Sequence, residues 1–228
     1  MGSVVSLLRQ IQEAATSSDV PVTDLLRKCK ILAARLGSKE FGDWVDRELN
    51  GYKEQSELPD YRVMLVVESL GNFSGPGGSS MSNASIPSGT IPEKYHDFVE
   101  TEYLMFGIGM YQDLLRNSDD GTFRSPWPSN LVAIVGRNIY RYMNCMSAWK
   151  VIPRGILVGI LEAVRNRILN FALDIEKENP EAGEAPIGST PIPAPTVHKV
   201  FNTNFYGSVG NVATGSDDFE QRAIEPVS

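Results

Sequence analysis

The chain has 228 residues, 42% hydrophobic and 21% charged, with a formal net charge of −7. That is enough chain to bury a substantial core, and no apolar run reaches the 18 or more residues that a membrane-spanning helix needs. No basic cluster leads into an apolar stretch at the N-terminus, so no signal peptide is expected. Cys29 and Cys145 are far apart and fall inside helical patterns, which predicts reduced, buried thiols in a cytoplasmic protein.

Residues 4–15 carry Val4, Leu7, Leu8, Ile11 and Ala14 on one helical stripe, with Ser3 as a cap. A second helix is predicted over 24–36, on Leu25, Leu26, Cys29, Leu32, Ala33 and Leu36, closed by Gly37. Ser38 caps a third over 39–49, with Phe41, Trp44, Val45 and Leu49 apolar. The run 62–70 (RVMLVVESL) reads as a strand, and 71–89, rich in Gly, Ser and Asn, as a long loop. That loop lacks the Gly-Lys-Ser/Thr of a phosphate cradle.

A fourth helix is expected over 92–117, weakened at Gly107 and Gly109. Ser125-Pro126-Trp127-Pro128 should be a rigid turn, followed by a fifth helix over 130–148 carrying Leu131, Ile134, Val135, Ile139, Tyr142 and Met146. A sixth, over 154–179, has the cleanest stripe and should be the central packing element. Residues 181–196 are dominated by Pro, Gly and Ala and read as a linker. Beyond it, residues 197–228 hold a partly alternating segment that predicts a β-ribbon. The expected fold class is therefore mainly α: a bundle of about six helices over 1–180, a small β element, and a β-forming C-terminal tail.

Chemistry is sparse. His96 and His198 have no His or Cys at metal spacing, and no hydrolase elbow, zinc-protease or kinase signature occurs, so no catalytic residue, cofactor or metal is expected. Between 121 and 170 seven basic residues face one acid, while 61–120 holds three basic and eight acidic residues. Either adjacent helices pair along oppositely charged edges, or a basic face meets phosphate or anionic lipid. A candidate polar patch comprises Arg137, Arg141, Glu162, Arg165, Asn166 and Asn170. A candidate self-association surface comprises Phe201, Phe205, Tyr206, Val209, Gly210 and Val212, since a short ribbon leaves unpaired backbone on both edges. The expected partners are further copies of the chain and a phage or host protein. With a sequence pI near 5.0, nucleic-acid binding is not expected, nor is a membrane for this chain.

Several stretches carry a family resemblance: DLLRKCKILAARLGSKEFGDWVDRELNGY (24–52), LPDYRV (58–63), GNFSGPGG (71–78), SPWPSNLVA (125–133), VRNRILNFALDIEKENPEAGE (164–184) and FNTNFYGSVGNVATGS (201–216). Together they resemble the AbiTii-domain proteins of bacteria. The resemblance implies a role in abortive infection, in which a bacterium blocks phage spread by shutting itself down, and brings no catalytic residue set with it. It also implies that similar proteins continue into a further C-terminal region. The reading that follows is a non-enzymatic defence protein that binds a partner through its helices and assembles through its tail. The alternatives are a toxin enzyme acting on nucleic acid through Arg-rich helices, or a membrane-active effector whose segment lies past residue 228.

Overall fold

A computed structural model describes residues 5–207. The first three helices form where their apolar stripes place them: α1 (Leu7–Thr16), α2 (Val22–Leu36) and α3 (Lys39–Asn50). Ser6, rather than Ser3, caps α1, its side chain accepting from the Arg9 amide. Gly37 takes the left-handed conformation (φ 65°) that closes α2, and the Ser38 side chain accepts from the Phe41 amide to open α3. The helix at 154–178, α7 (Arg154–Glu178), is the central element. It buries Leu157, Ile160, Val164, Ile168, Phe171 and Ile175 against α1, α2 and the elements described next.

The expected six-helix bundle with a ribbon tail is not the fold. Among the described residues there are eight α-helices, a two-stranded sheet and a four-stranded sheet, both antiparallel, making a mixed α/β fold. The predicted fourth helix is three elements: α4 (His96–Glu100), β4 (Thr101–Tyr103) and α5 (Ile108–Asn117). Strand β4 pairs with β1 (Val63–Leu65), Val63 opposite Tyr103. At Gly107 the chain passes so close to the Leu49 carbonyl that a Cβ would collide with it, which explains the glycine without any helix.

The predicted fifth helix keeps only α6 (Ser129–Val135), and its second half becomes β6 (Asn144–Pro153). Gly136 packs against Cys145, and Tyr142 turns left-handed at φ 62°, so a helical ladder cannot run through. The predicted loop 71–89 instead holds most of a hairpin, β2 (Ser69–Ser74) and β3 (Ser80–Ser85), and the first two residues of the predicted proline turn, Ser125 and Pro126, end β5 (Thr122–Pro126). The strand order is β3-β2-β6-β5. Gly71 sits where a Cβ would press on the Ser147 carbonyl of β6 and on Phe73 and Ile86, so small residues are required in the strand itself. Pro126 is tolerated because β5 is an edge. One face of this sheet and α6 enclose a second apolar cluster around Phe73, Ile86, Trp127, Val135 and Ala148.

The expected tail ribbon is corrected as well. Residues 194–205 form α8 (Ala194–Phe205), with proline in its first turn. Val197, Phe201 and Phe205, spaced by four, share one helical face and are buried in the main core. Phe201 and Phe205 join Phe41, Trp44 and Phe171 in an aromatic cluster, with Phe41–Phe171 centroids at 4.3 Å and Trp44–Phe205 at 4.4 Å. The Pro-rich stretch before α8 also docks. Ala182, Gly183 and Ile192 are buried, and Glu184 accepts from the Leu7 amide at 2.7 Å, adding a carboxylate to the Ser6 hydroxyl at the N-terminus of α1.

Candidate functional site

Three polar groupings merit comparison, and the residues of each come from different elements. The most buried joins α3 to the β1–β4 sheet. Arg62 and Glu48 are both fully buried, and Arg62 Nη2 donates to Glu48 Oε2 at 2.6 Å and Nε to Oε1 at 3.2 Å. The remaining donor, Nη1, serves the Leu104 and Phe106 carbonyls at 2.8 Å each. Tyr52 and Tyr61 hydroxyls both donate to Glu48 Oε1 at 2.6 Å. Burial, and then the Glu48 charge, push both phenols well above their ordinary range, so they stay protonated donors. Burial works against the Arg62 charge but Glu48 outweighs it, leaving the guanidinium above its ordinary value. Burial likewise lifts Tyr111, whose ring lies beside Arg62, to about 12. Every side-chain nitrogen and oxygen of Glu48 and Arg62 has a partner, which makes this network a clamp between layers.

The second grouping floors an open cleft of about 370 Å³ between α4–β4 and the β5–β6 edge of the larger sheet. Lys150 is buried in β6, its ammonium 2.5 Å from Glu102 Oε2. It also donates to the Thr101 carbonyl at 2.8 Å and the Phe98 carbonyl at 3.1 Å. Glu102 Oε1 accepts from the Ser125 hydroxyl at 2.9 Å. Ser125 and Lys150 are register partners on adjacent strands, so the sheet itself sets this spacing. At the mouth the Tyr103 hydroxyl donates to exposed Asp97 at 3.2 Å. Desolvation and the Asp97 charge raise the Tyr103 phenol. Phe98, Met105, Pro126 and Pro128 complete apolar walls.

The third lies where α8 meets α3. His198 Nδ1 is 2.6 Å from Glu40 Oε2, and Asn202 approaches its Nε2 at 2.9 Å. A shallow groove lined by Ser38, Lys39, Val197 and His198 runs beside it. The carboxylate and the amide orient the imidazole, but Ser38 is spent on capping α3, so the arrangement presents no nucleophile through that residue.

The residues singled out by sequence fall apart in space. Arg165 is buried and turns inward, its Nη1 donating to the Ala14 carbonyl at 2.9 Å and its Nη2 to Val20. It thereby satisfies one C-terminal carbonyl of α1, at Ala14, and one in the turn before α2, at Val20. Burial lowers its pKa, with the Glu162 charge opposing. Glu162, Asn166 and Asn170 remain on the exposed side of α7, whereas Arg137 and Arg141 lie in the α6–β6 loop. Of the tail residues, Phe201 and Phe205 are 2% and 3% exposed, and Tyr206 is exposed at the end of α8. Val209, Gly210 and Val212 lie outside the described residues. The strand edges expected at 201–206 are helical backbone as far as Phe205, with Tyr206 as the cap. The cleft residues Lys150, Glu102, Ser125, Asp97 and Tyr103 escaped the sequence reading. One signal pointed to them, a single lysine within the apolar run AWKVI, but the helical assignment on either side hid its strand neighbours.

Among the described residues no helix is long and apolar enough to cross a membrane. No curated protein and no solved structure matches the chain. The AbiTii family model matches residues 6–200, and the chain belongs to this family of abortive-infection domains.

Proposed function

We propose that this chain serves anti-phage defence as a recognition domain, and that the cleft over Lys150 and Glu102 is where it meets its partner. One observation carries this reading: the cleft's buried charges are fully engaged. Lys150 spends its three hydrogens on Glu102 and two backbone carbonyls, and both Glu102 oxygens are bonded. An ammonium so placed has no lone pair with which to take a proton from Ser125, so the site is rigid and complementary rather than reactive. Its mouth offers the Asp97 carboxylate between the aromatic side chains Phe98 and Tyr103, a combination suited to a basic side chain presented by another protein.

The test uses rim positions, exposed Asp97 and partly buried Tyr103, whose substitution is expected to leave the fold intact. Asp97→Ala and Tyr103→Ser should abolish phage protection in cells while expression and melting temperature stay at the parent level. Full protection by both variants would refute the cleft as the contact site.

A further inference from the structure

Charge in this molecule is segregated in a way that chain order conceals. Neither residues 69–92 nor residues 121–161 contain a single Asp or Glu. Those two stretches build the four-stranded sheet, its hairpin turn, α6 and the α6–β6 loop. The acids of the intervening chain, Glu93, Asp97, Glu100, Glu102, Asp113, Asp119 and Asp120, fall instead on α4, β4, α5 and the turns beside them. Asp119 and Asp120 lead into the end of β5 that pairs with Pro153, away from Asn144. The near-balance of charge between consecutive segments therefore does not hold at the free end of the sheet.

That end is one structure. The Cys145 amide donates to the Gly136 carbonyl at 3.2 Å and closes residues 137–144 into a loop anchored by buried Ile139. The β2–β3 turn packs beside it, Gly75 against the Tyr142 carbonyl and the Met143 sulfur, with the Ser79 hydroxyl 3.8 Å from that sulfur. Arg137 and Arg141 are exposed on the loop, and among the described residues no carboxylate comes within ion-pair distance of either. Three large apolar side chains of α6, this loop and the first residues of β6 are exposed: Tyr142 is 72% exposed, Met146 67% and Ile134 58%. Tyr142 also holds a left-handed backbone, φ 62°, an unfavourable conformation for an aromatic residue. Strain kept at a ring that makes no core contact is a mark of function. Arg141 accompanies the ring, its guanidinium 4.8 Å from the ring centroid and bonded to the hydroxyl at 2.8 Å.

The geometry points to this end of the sheet as a docking surface for an anionic phospholipid bilayer. Arg137 and Arg141 reach headgroup phosphates, and Tyr142, Met146 and Ile134 enter the boundary of the acyl chains. A planar bilayer meets only this acid-free end, so the overall charge of −7 does not oppose contact at short range. Nucleic acid suits the surface less well. Ile134 and Met146 offer no flat face for a base and gain only by entering an apolar medium, whereas Tyr belongs naturally at a membrane interface. This contact is peripheral and is separate from the cleft.

Co-sedimentation of the full chain with phosphatidylcholine vesicles, with and without about a third phosphatidylglycerol, tests it. Binding should require the phosphatidylglycerol, weaken with salt, and fall at least about tenfold in Arg137→Glu/Arg141→Glu. Tyr142→Gly is the second probe, because glycine accepts the same backbone without strain. It should weaken vesicle binding while the melting temperature stays level or rises. Absence of binding to phosphatidylglycerol vesicles at low salt would overturn the proposal. So would vesicle binding unchanged by Tyr142→Gly and Met146→Ser, and so would Arg137-dependent capture of a single-stranded oligonucleotide with none of the vesicles.

Discussion

The helical layer and the sheet layer of this domain are held together by different forces. Around α7 the core is almost wholly apolar, with Leu8, Ile11, Leu25, Leu32 and five interlocked aromatic rings excluded from water. Burial of that kind is non-directional and tolerates small shifts of one helix on another. The sheet layer has a smaller apolar cluster, and beside Leu104, Phe123 and Ile152, which pack on the main core, its attachment adds the directional contacts of Glu48–Arg62 and, between the two sheets, Glu102–Lys150. Ion pairs that are buried and fully bonded add little net stability over an apolar substitute, yet breaking one is costly. The contrast teaches that here apolar area supplies cohesion, while buried charge fixes where the second layer sits. The candidate contact surfaces, cleft and loop alike, belong to the layer that is fixed by charge.

Four experiments break or sharpen that contrast. The largest effect is expected in the helical layer. Phe201→Ala should cost about 3–5 kcal/mol in urea unfolding, because it opens a hole among four other rings. A loss below about 1 kcal/mol would show that α8 is only laid on the core and not part of it.

Next is the clamp. Arg62→Met should cost about 3 kcal/mol by leaving Glu48 buried without its counter-charge, whereas Glu48→Leu/Arg62→Met should recover most of the loss. If the double variant is no better than the single one, the pair contributes more than position. In the cleft, Ser125→Ala removes one bond to Glu102 and should cost about 1 kcal/mol by the same measurement; no change would mean that Lys150 alone orients the carboxylate.

The smallest effect tests the α7–α8 seam through pH. Bonds from Lys177 at 2.8 Å and Asn204 at 3.0 Å hold the Asp174 carboxyl below its ordinary value of 3.8. A depressed folded-state pKa stabilises the fold above the unfolded value, and that contribution disappears as pH falls through the folded one. Asp174 is partly exposed, so Asp174→Asn should cost only a few tenths of a kcal/mol at neutral pH. In acid unfolding the variant and parent should converge as pH falls below the ordinary value and through the depressed one; a gap that persists once both states are protonated would assign the effect to packing.

Legibility in the sequence follows the same division. In α1, α2, α3 and α7 one apolar stripe faces one core, so periodicity and caps sufficed to find them. The β2–β3 hairpin is invisible to that logic because its strands are rich in Gly, Ser and Asn, with Gly71 needed for the close approach of β2 to β6. Residues 130–148 mislead for the opposite reason. Leu131, Val135 and Ile139 do sit at helical spacing, but the ladder bonds of β6 with two neighbours outweigh that local preference beyond Gly136. In α8 the positions 197, 201 and 205 satisfy a period of two as well as a period near four, and only Phe41 and Phe171 across the core decide between them. The cleft was hidden because Lys150 and Ser125 become neighbours only through a register that neither segment encodes alone.

The two cysteines inherit this difference between layers. Cys29 is fully buried in α2, and burial drives its thiol far above the ordinary range, so in the folded molecule it is neither accessible nor ionised. Cys145, half-buried at the start of β6, is raised by the same cause with the Ser147 contact opposing. Alkylation therefore runs as two clocks in one chain. The Cys145 clock is set by motions of the loop that joins α6 to β6, and the Cys29 clock by openings large enough to lift α2 out of the core. The ratio of the two rates is an internal gauge of how independently the layers breathe.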